Sequence, residues 1–435
     1  MTSVFFSLIT LLFLKFHYEK SLIERFIFST ATKELSAMKI LMIAPQPFFT
    51  PRGTPLSVLH RINTLSKLGH HIDLVTYHLG KTIPFENVNY FRIPKIPFIK
   101  QISVGPSKKK IIIDLFMIFI SLKLLLKNKY DVIHTHEEAG FFGIRFAKFF
   151  KTLHLYDMHS SLPQQLTNFK FTRLKALIKM FESLERSTIE NSDALITICP
   201  ELYNYVKENY PDKKQYLIEN VADNSMVFGD SKISKQNVRK TYNLNSDTII
   251  LYAGTFEPYQ GLDLLIEASK DVVKDAKNVT FLMVGGNPDQ VGFYRDKVEK
   301  NNLNEYFKFS GQVSPEMVPL FVEIADILVT PRIEGNNTPL KIYSYLRSGK
   351  PIVATNHTTH TQVLDKSVAV LTECNSQSFS EGLLKVIKDN KLKETITKNA
   401  KRLAEEKYSY KVYLEKTRGI YEYLETKKNS IEENK

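Results

Sequence analysis

Three histidines sit where apolar runs give way to loops. Val132-Ile133-His134-Thr135-His136 ends one run, and Tyr156-Asp157-Met158-His159 ends another. In extended backbone His134 and His136 point to the same face. Two imidazoles on one face can ligate a metal, but the sequence places no third ligand at a metal-site spacing, so no metal is expected. An imidazole at the carboxyl end of a strand is otherwise a donor to sugar hydroxyls or a proton-transfer group. His136 and His159 are the candidate catalytic residues. A second group of segments is rich in glycine: Gly254-Thr255 through Gln260-Gly261, Gly285-Gly286, Gly311-Gln312-Val313, and Arg332 through Gly335-Asn336-Asn337-Thr338-Pro339-Leu340-Lys341. Each alone is a turn signal. Four of them on one edge of one sheet suit a nucleotide pocket built from backbone amides. An earlier loop, 45–57, carries Gly53, with Thr54 expected as an N-cap and Pro55 at the first helical position. It lacks the G-x-G-x-x-G spacing of a dinucleotide fold.

Such loops need strands to carry them. Short β-branched runs at 39–44, 71–77, 88–93, 130–134, 153–157, 193–198 and 215–218 alternate with longer amphipathic stretches. A second series follows at 248–253, 279–284, 306–310, 326–330, 351–354 and 367–371. Continuous apolar strands separated by helices are buried on both faces, which requires parallel sheets with helical crossovers. The fold class is α/β, with two doubly wound Rossmann-like domains facing a cleft. Ligands in such sheets bind beyond the carboxyl ends of the strands. A polar stretch at 222–247 divides the series. The expected organisation is an apolar extension at 1–37, a domain at 38–223, a second at 224–410, a helix at 411–425 packing back on the first domain, and a disordered tail at 426–435.

The 435 residues are 43% hydrophobic and 24% charged, which excludes wholesale disorder and a polytopic membrane protein. Two cysteines, Cys199 and Cys374, cannot make a disulfide framework, and this favours a reducing compartment. Residues 1–14 are uncharged but shorter than the roughly 20 residues that span a bilayer. Segment 1–37 therefore reads as an upstream over-called start, a membrane-peripheral extension or a signal anchor. The net charge of +13 calls for an anionic partner. Between Arg92 and Lys129 nine basic residues face one acid, Asp114. Together with the phenylalanines among Arg145, Lys148 and Lys151, they fit an anionic membrane surface on the inner, cytoplasmic face. The apolar run 111–126 itself reads as a buried crossover helix. No nucleic-acid-reading module is present, and nucleic acid is not an expected partner.

Read together, the segments resemble the retaining GT-B glycosyltransferases of family 4, over about residues 38–425. The specific part is the ordered series Tyr252-x-Gly254, Gln260-Gly261-Leu262-Asp263-Leu264-Leu265, Val284-Gly285, Gly311-x-Val313, Ala325-Asp326-x-x-Val329-x-Pro331 and Ser348-Gly349-Lys350-Pro351. Leu65-x-x-Leu68-Gly69-His70 and Asp131-Val132-Ile133-His134-x-His136 also fit. The resemblance implies a nucleotide-diphosphate sugar on the second domain, a glycan or lipid-linked acceptor on the first, and retaining transfer without metal or other cofactor. It implies that His136 lies beside the transferred sugar, that Gly53 belongs to a loop closing over the donor, and that Val313 meets the base through its backbone. Gly254 and Gly285 would line the nucleotide. The chain departs from the family at Thr255 and Gln260, where Arg and Lys commonly touch phosphates, and at Asn336 and Ser344, where a pair of Glu commonly stands. Lys341, following Thr338, and Arg332 are expected to supply the phosphate charge instead. A GT-B sugar-nucleotide epimerase and a non-catalytic sugar-nucleotide-binding homologue are the alternatives.

Overall fold

In a computed structural model, residues 36–48, 53–97, 99, 102, 107–163, 174–222, 234–244 and 248–433 are described. The apolar extension before residue 36 and most of the loop after Phe48 lie outside them.

The chain enters at β1 (Lys39–Ala44), then α1 (Gly53–Lys67), β2 (His71–Thr76) and β3 (Val88–Arg92). The helix α2 (Lys108–Lys127) leads to β4 (Val132–His136), α3 (Ala139–Phe150) and β5 (Leu153–Met158). Next come α4 (Lys175–Asn191), β6 (Ala194–Thr197), α5 (Pro200–Asn209) and β7 (Gln215–Leu217). The second series opens with α6 (Lys235–Thr241), β8 (Thr248–Ala253), α7 (Leu262–Asp275), β9 (Val279–Val284), α8 (Pro288–Lys300) and β10 (Phe307–Gly311). It continues with α9 (Val318–Ile324), β11 (Ile327–Thr330), α10 (Lys341–Ser348), β12 (Ile352–Thr355), α11 (Thr358–Thr361) and β13 (Val370–Thr372). Three helices close the chain: α12 (Ser376–Lys388), α13 (Asn390–Tyr408) and α14 (Tyr410–Glu433).

Two sheets result, ordered β3-β2-β1-β4-β5-β6-β7 and β10-β9-β8-β11-β12-β13. Their central pairs, β1 with β2 and β4, and β8 with β9 and β11, are parallel. The central strands β1, β4, β5, β8 and β9 are buried nearly throughout, as apolar runs covered by helices on both faces must be. In each sheet the strand order reverses beside the first strand, between β1 and β4 and between β8 and β11. These reversals open the crevices in which an α/β sheet binds ligand.

Several expectations change in detail. The strand expected at 130–134 begins at Val132, because the Asp131 carboxylate accepts from the Lys39 amide at 2.7 Å and caps the sheet edge. Both His134 and His136 are therefore inside β4. Helix α1 starts at Gly53, so Thr54 is within the first turn rather than before it. The run 111–126 is a helix but is not buried: Ile111, Ile112, Leu115, Phe116, Phe119 and Leu126 face solvent. The segment expected as a free tail continues α14 through Glu433, held by Lys427 against Asp193 and Lys428 against Asp131, each at 2.7 Å. Earlier in the same helix, Tyr421 and Thr417 pack on the first sheet and on α1.

Candidate active site

The two reversal points face one cleft of about 1000 Å³. From the first series it is lined by the start of α1 (Gly53 to Ser57), Glu137, and His159 to Ser161. The second series contributes the loop after β8, the Gly285-Gly286 turn, Val313, and the segment Arg332 to Lys341. Gly53, Gly254, Thr255, Gln260, Gly285, Val313, Arg332, Asn336, Thr338, Lys341 and Ser344 all line it, as does His159. His136 does not. It is 1% exposed and lies directly behind His159, with Nδ1 3.0 Å from His159 Nε2.

Behind that wall is a buried polar cluster that the sequence did not announce. Asp157, two residues before His159, places its carboxylate 3.0 Å from Arg61 Nε, 3.2 Å from His159 Nε2 and 3.5 Å from His134 Nε2. Arg61 comes from α1 and also donates to Thr417 Oγ1 of α14 at 3.2 Å. The Tyr421 hydroxyl meets His134 Nδ1 at 2.9 Å. Burial alone would push the Asp157 carboxyl up, but the Arg61 guanidinium and the His159 ring beside it outweigh burial and hold it well below the usual carboxylate range. Burial drives the His136 imidazole well below its ordinary value, so this ring is neutral. His159 turns Nε2 to this cluster, and its Nδ1 has no hydrogen-bond partner.

His134, His136 and Asp157 offer ligand atoms within 4.8 Å of one another, so the third ligand that the sequence did not place exists in the fold. The group still fits a cation poorly. Arg61 already occupies the carboxylate, and a divalent ion there would sit beside a buried guanidinium.

The opposite wall is cationic. Lys341, the first residue of α10, is half-buried, but its Nζ is itself buried and has no hydrogen-bond partner. The amine lies 3.9 Å from the centre of the Tyr252 ring, and a Cβ at Gly254 would come within 2.8 Å of it. Burial, and then the charge of Arg332, lower this amine to about 7. Arg332 stacks over Tyr259 at 5.1 Å, and its Nε donates to the Glu334 carbonyl at 2.7 Å. Gly285 has φ of +124°, and a Cβ there would collide with the Gly254 carbonyl, so the β8 and β9 loops close on each other only with glycine. An unpartnered ammonium beneath a glycine loop, next to an arginine, is a receptor for an anion that hydrogen-bonds from the cleft side.

The loop carrying these cations also joins the two halves. Asn337 Nδ2 donates to the His159 carbonyl at 2.8 Å, and Asn336 Nδ2 donates to Glu201 Oε1 at 2.7 Å. Gln362 links Asn336 to the Glu201 amide. Asn336 therefore serves the contact between halves as well as lining the cleft, at a position where the family commonly carries a Glu. Ser344 turns its hydroxyl to the Lys341 carbonyl at 2.9 Å. Arg61, Asp157, Tyr421 and Glu137 were missed from sequence. Only the proximity of Asp157 and Glu137 to the singled-out histidines could have flagged them.

Comparison with known proteins agrees with this architecture. The Glycosyltransferase Family 4 profile matches residues 51–225, and the Glycosyl transferases group 1 profile matches residues 234–403. The chain belongs to the GT-B glycosyltransferases. A phosphatidyl-myo-inositol mannosyltransferase of Mycobacterium tuberculosis is 21% identical, over 88% of this chain and 97% of its own. An alpha-D-kanosaminyltransferase of Streptomyces kanamyceticus is also 21% identical, over 88% and 99%. Among solved structures, sucrose-phosphate synthase from Thermosynechococcus elongatus superposes with a TM-score of 0.71 at 17% identity, covering 89% of this glycosyltransferase and 99% of that chain. HepE of Anabaena, in complex with UDP and glucose, gives 0.68 at 16% identity, over 89% and 99%. These solved structures share the fold.

Proposed function

We propose that this glycosyltransferase moves a hexose-type sugar from a nucleotide-diphosphate sugar to a glycan or lipid-linked acceptor, with retention and without a metal. The observation that carries the reading is the buried, unpartnered Lys341 ammonium at the β8–β11 reversal. The UDP-glucose complex of HepE supports a nucleotide sugar as the ligand class. In the proposed reaction the bond between the anomeric carbon and the β-phosphate oxygen breaks, and its electron pair stays on the phosphate. The acceptor oxygen bonds to the same face of that carbon, and its proton passes to the departing phosphate oxygen. Negative charge grows on that oxygen while the sugar gains oxocarbenium character. Lys341 and Arg332 stabilise the growing charge. His159 faces the sugar from the other wall, where Nδ1 can accept from a hydroxyl. The cytoplasmic face of an anionic membrane fits the net charge of +13.

The test is a panel of UDP-, GDP-, ADP- and dTDP-sugars with and without EDTA, scored by diphosphate release and by the anomeric configuration of the product. Release from one donor, insensitive to EDTA and with the anomer retained, is the expected result. Inversion, or loss in EDTA, contradicts the mechanism. Conversion of the donor sugar with no acceptor present would assign an epimerase. Release from none of the donors, with a nucleotide still bound, would assign a binding homologue.

A further inference from the structure

Helix α2 is amphipathic in the wrong sense for a crossover helix. Its inner face, Ile113, Met117, Leu124 and Leu125, is buried in the first core, as packing on the sheet requires. Its outer face is also apolar. Ile111 is 63% exposed, Leu115 60%, Phe119 77% and Leu126 69%, with Ile112 and Phe116 beside them. Spacings of three, four and seven put these on one side of a helix about 30 Å long. Phe149, at the end of α3 packed alongside α2, is 78% exposed. Scattered exposed apolar residues are ordinary, but a continuous stripe of this length is the mark of an interaction site.

The rim identifies the partner's charge. Lys123 and Lys127 lie on the same helical arc, and Lys129, Arg145, Lys148 and Lys151 are exposed around it. The helix carries one acid, Asp114. It is turned inward, where it accepts from the Tyr77 hydroxyl at 2.8 Å, and burial raises its carboxyl to about 8. No helix among the described residues is long and apolar enough to cross a membrane. An apolar stripe with a cationic rim and no exposed acid fits the boundary between anionic head groups and acyl chains. At its amino end the helix reaches the cleft: Lys110 lines it and pairs with Glu138 at 3.4 Å.

We propose that the outer face of α2, with Phe149 of α3, lies on an anionic bilayer and sets the mouth of the cleft at the membrane edge. This deepens the transferase reading, because it places an acceptor carried by a lipid within reach of the cleft.

The experiment is co-sedimentation of the full chain with vesicles of mixed phosphatidylglycerol and phosphatidylcholine, and with vesicles of phosphatidylcholine alone. The chains compared are wild type and Leu115→Ser/Phe119→Ser. These side chains are exposed, so the variant should melt as wild type does. Its diphosphate release from free donor should also be unchanged, since neither residue lines the cleft. Wild type is expected to bind the anionic vesicles, less so as salt rises. The variant should bind them at least about tenfold more weakly, the scale set by two lost apolar side chains. Equal binding by wild type and variant, or equal binding to neutral vesicles, overturns the proposal. So does a wild-type dimer that dissociates in the variant with no vesicle binding by either chain. If vesicles bind but no donor is ever turned over, the transferase reading fails and the docking face stands.

Discussion

Lys341 illustrates how a single buried amine can cost the ligand-free protein stability. Its amine is about 7 in the folded protein against 10.5 when free. Between those values the unfolded chain binds more protons, so stability should rise with pH from about 7 to 10.5. Replacing it with methionine, which keeps the volume and fills against Tyr252, should remove that slope and raise the melting temperature of the ligand-free protein. A thermal melt across pH 6–10 checks both; an unchanged slope would show that this amine is not the buried cation. Lys341 was legible from sequence because the motif fixes its place one residue into α10. His136 was only half legible. Period-two geometry correctly puts it on the face of His134, and the two rings stack with centres 4.8 Å apart. Which way that face points is decided by Asp157 and Arg61, distant in sequence. They draw the rings into the core and leave His159 at the cleft.

At the scale of elements, the cluster around Asp157 ties α1, β4, β5 and α14 together. Removing one partner of a buried ion pair leaves the other uncompensated and costs about 3–5 kcal/mol. Asp157→Ala should therefore lower unfolding stability by roughly that amount in urea melts. Arg61→Met/Asp157→Leu, which removes both charges, should cost clearly less. Equal losses would mean the pair is not coupled. Helix α14 shows what patterning cannot see. Residues 426–435 are polar enough to read as a tail, yet Asp193 and Asp131 on strand-edge loops supply the counter-charges that extend the helix. Likewise α2 is apolar on its outer face as well as its inner one, a pattern that normally means burial. Only the packing of one face against the sheet, with no element among the described residues over the other, reveals the exposed stripe.

For the molecule as a whole, the two sheets were legible as alternating apolar runs, because burial on both faces leaves no other pattern for a parallel strand. The cleft followed from the strand-order reversals. The sequence did not show how the halves meet. Asn337 stood out only as a turn residue and Asn336 as a donor-site position where the family commonly carries a Glu, and the structure makes them the bridge to His159 and Glu201. Asn337→Ala removes the bond to the His159 carbonyl, which holds the first-half histidine against the second-half loop. It is expected to lower turnover several-fold while leaving nucleotide affinity within about twofold, since a neutral hydrogen bond contributes about 1 kcal/mol. Steady-state kinetics against direct binding separates the two; loss of nucleotide affinity with normal turnover would assign Asn337 to the donor site instead. The central claim, that the cleft between the sheets receives a nucleoside diphosphate on the Lys341 side, is tested most directly by titration calorimetry of wild type and Lys341→Met with UDP, GDP, ADP and dTDP. Saturable binding of one nucleotide by wild type, with proton uptake at pH 8 and at least about a tenfold loss in the variant, is the predicted result. Binding of equal strength by both chains, or of no nucleotide by wild type, would contradict it.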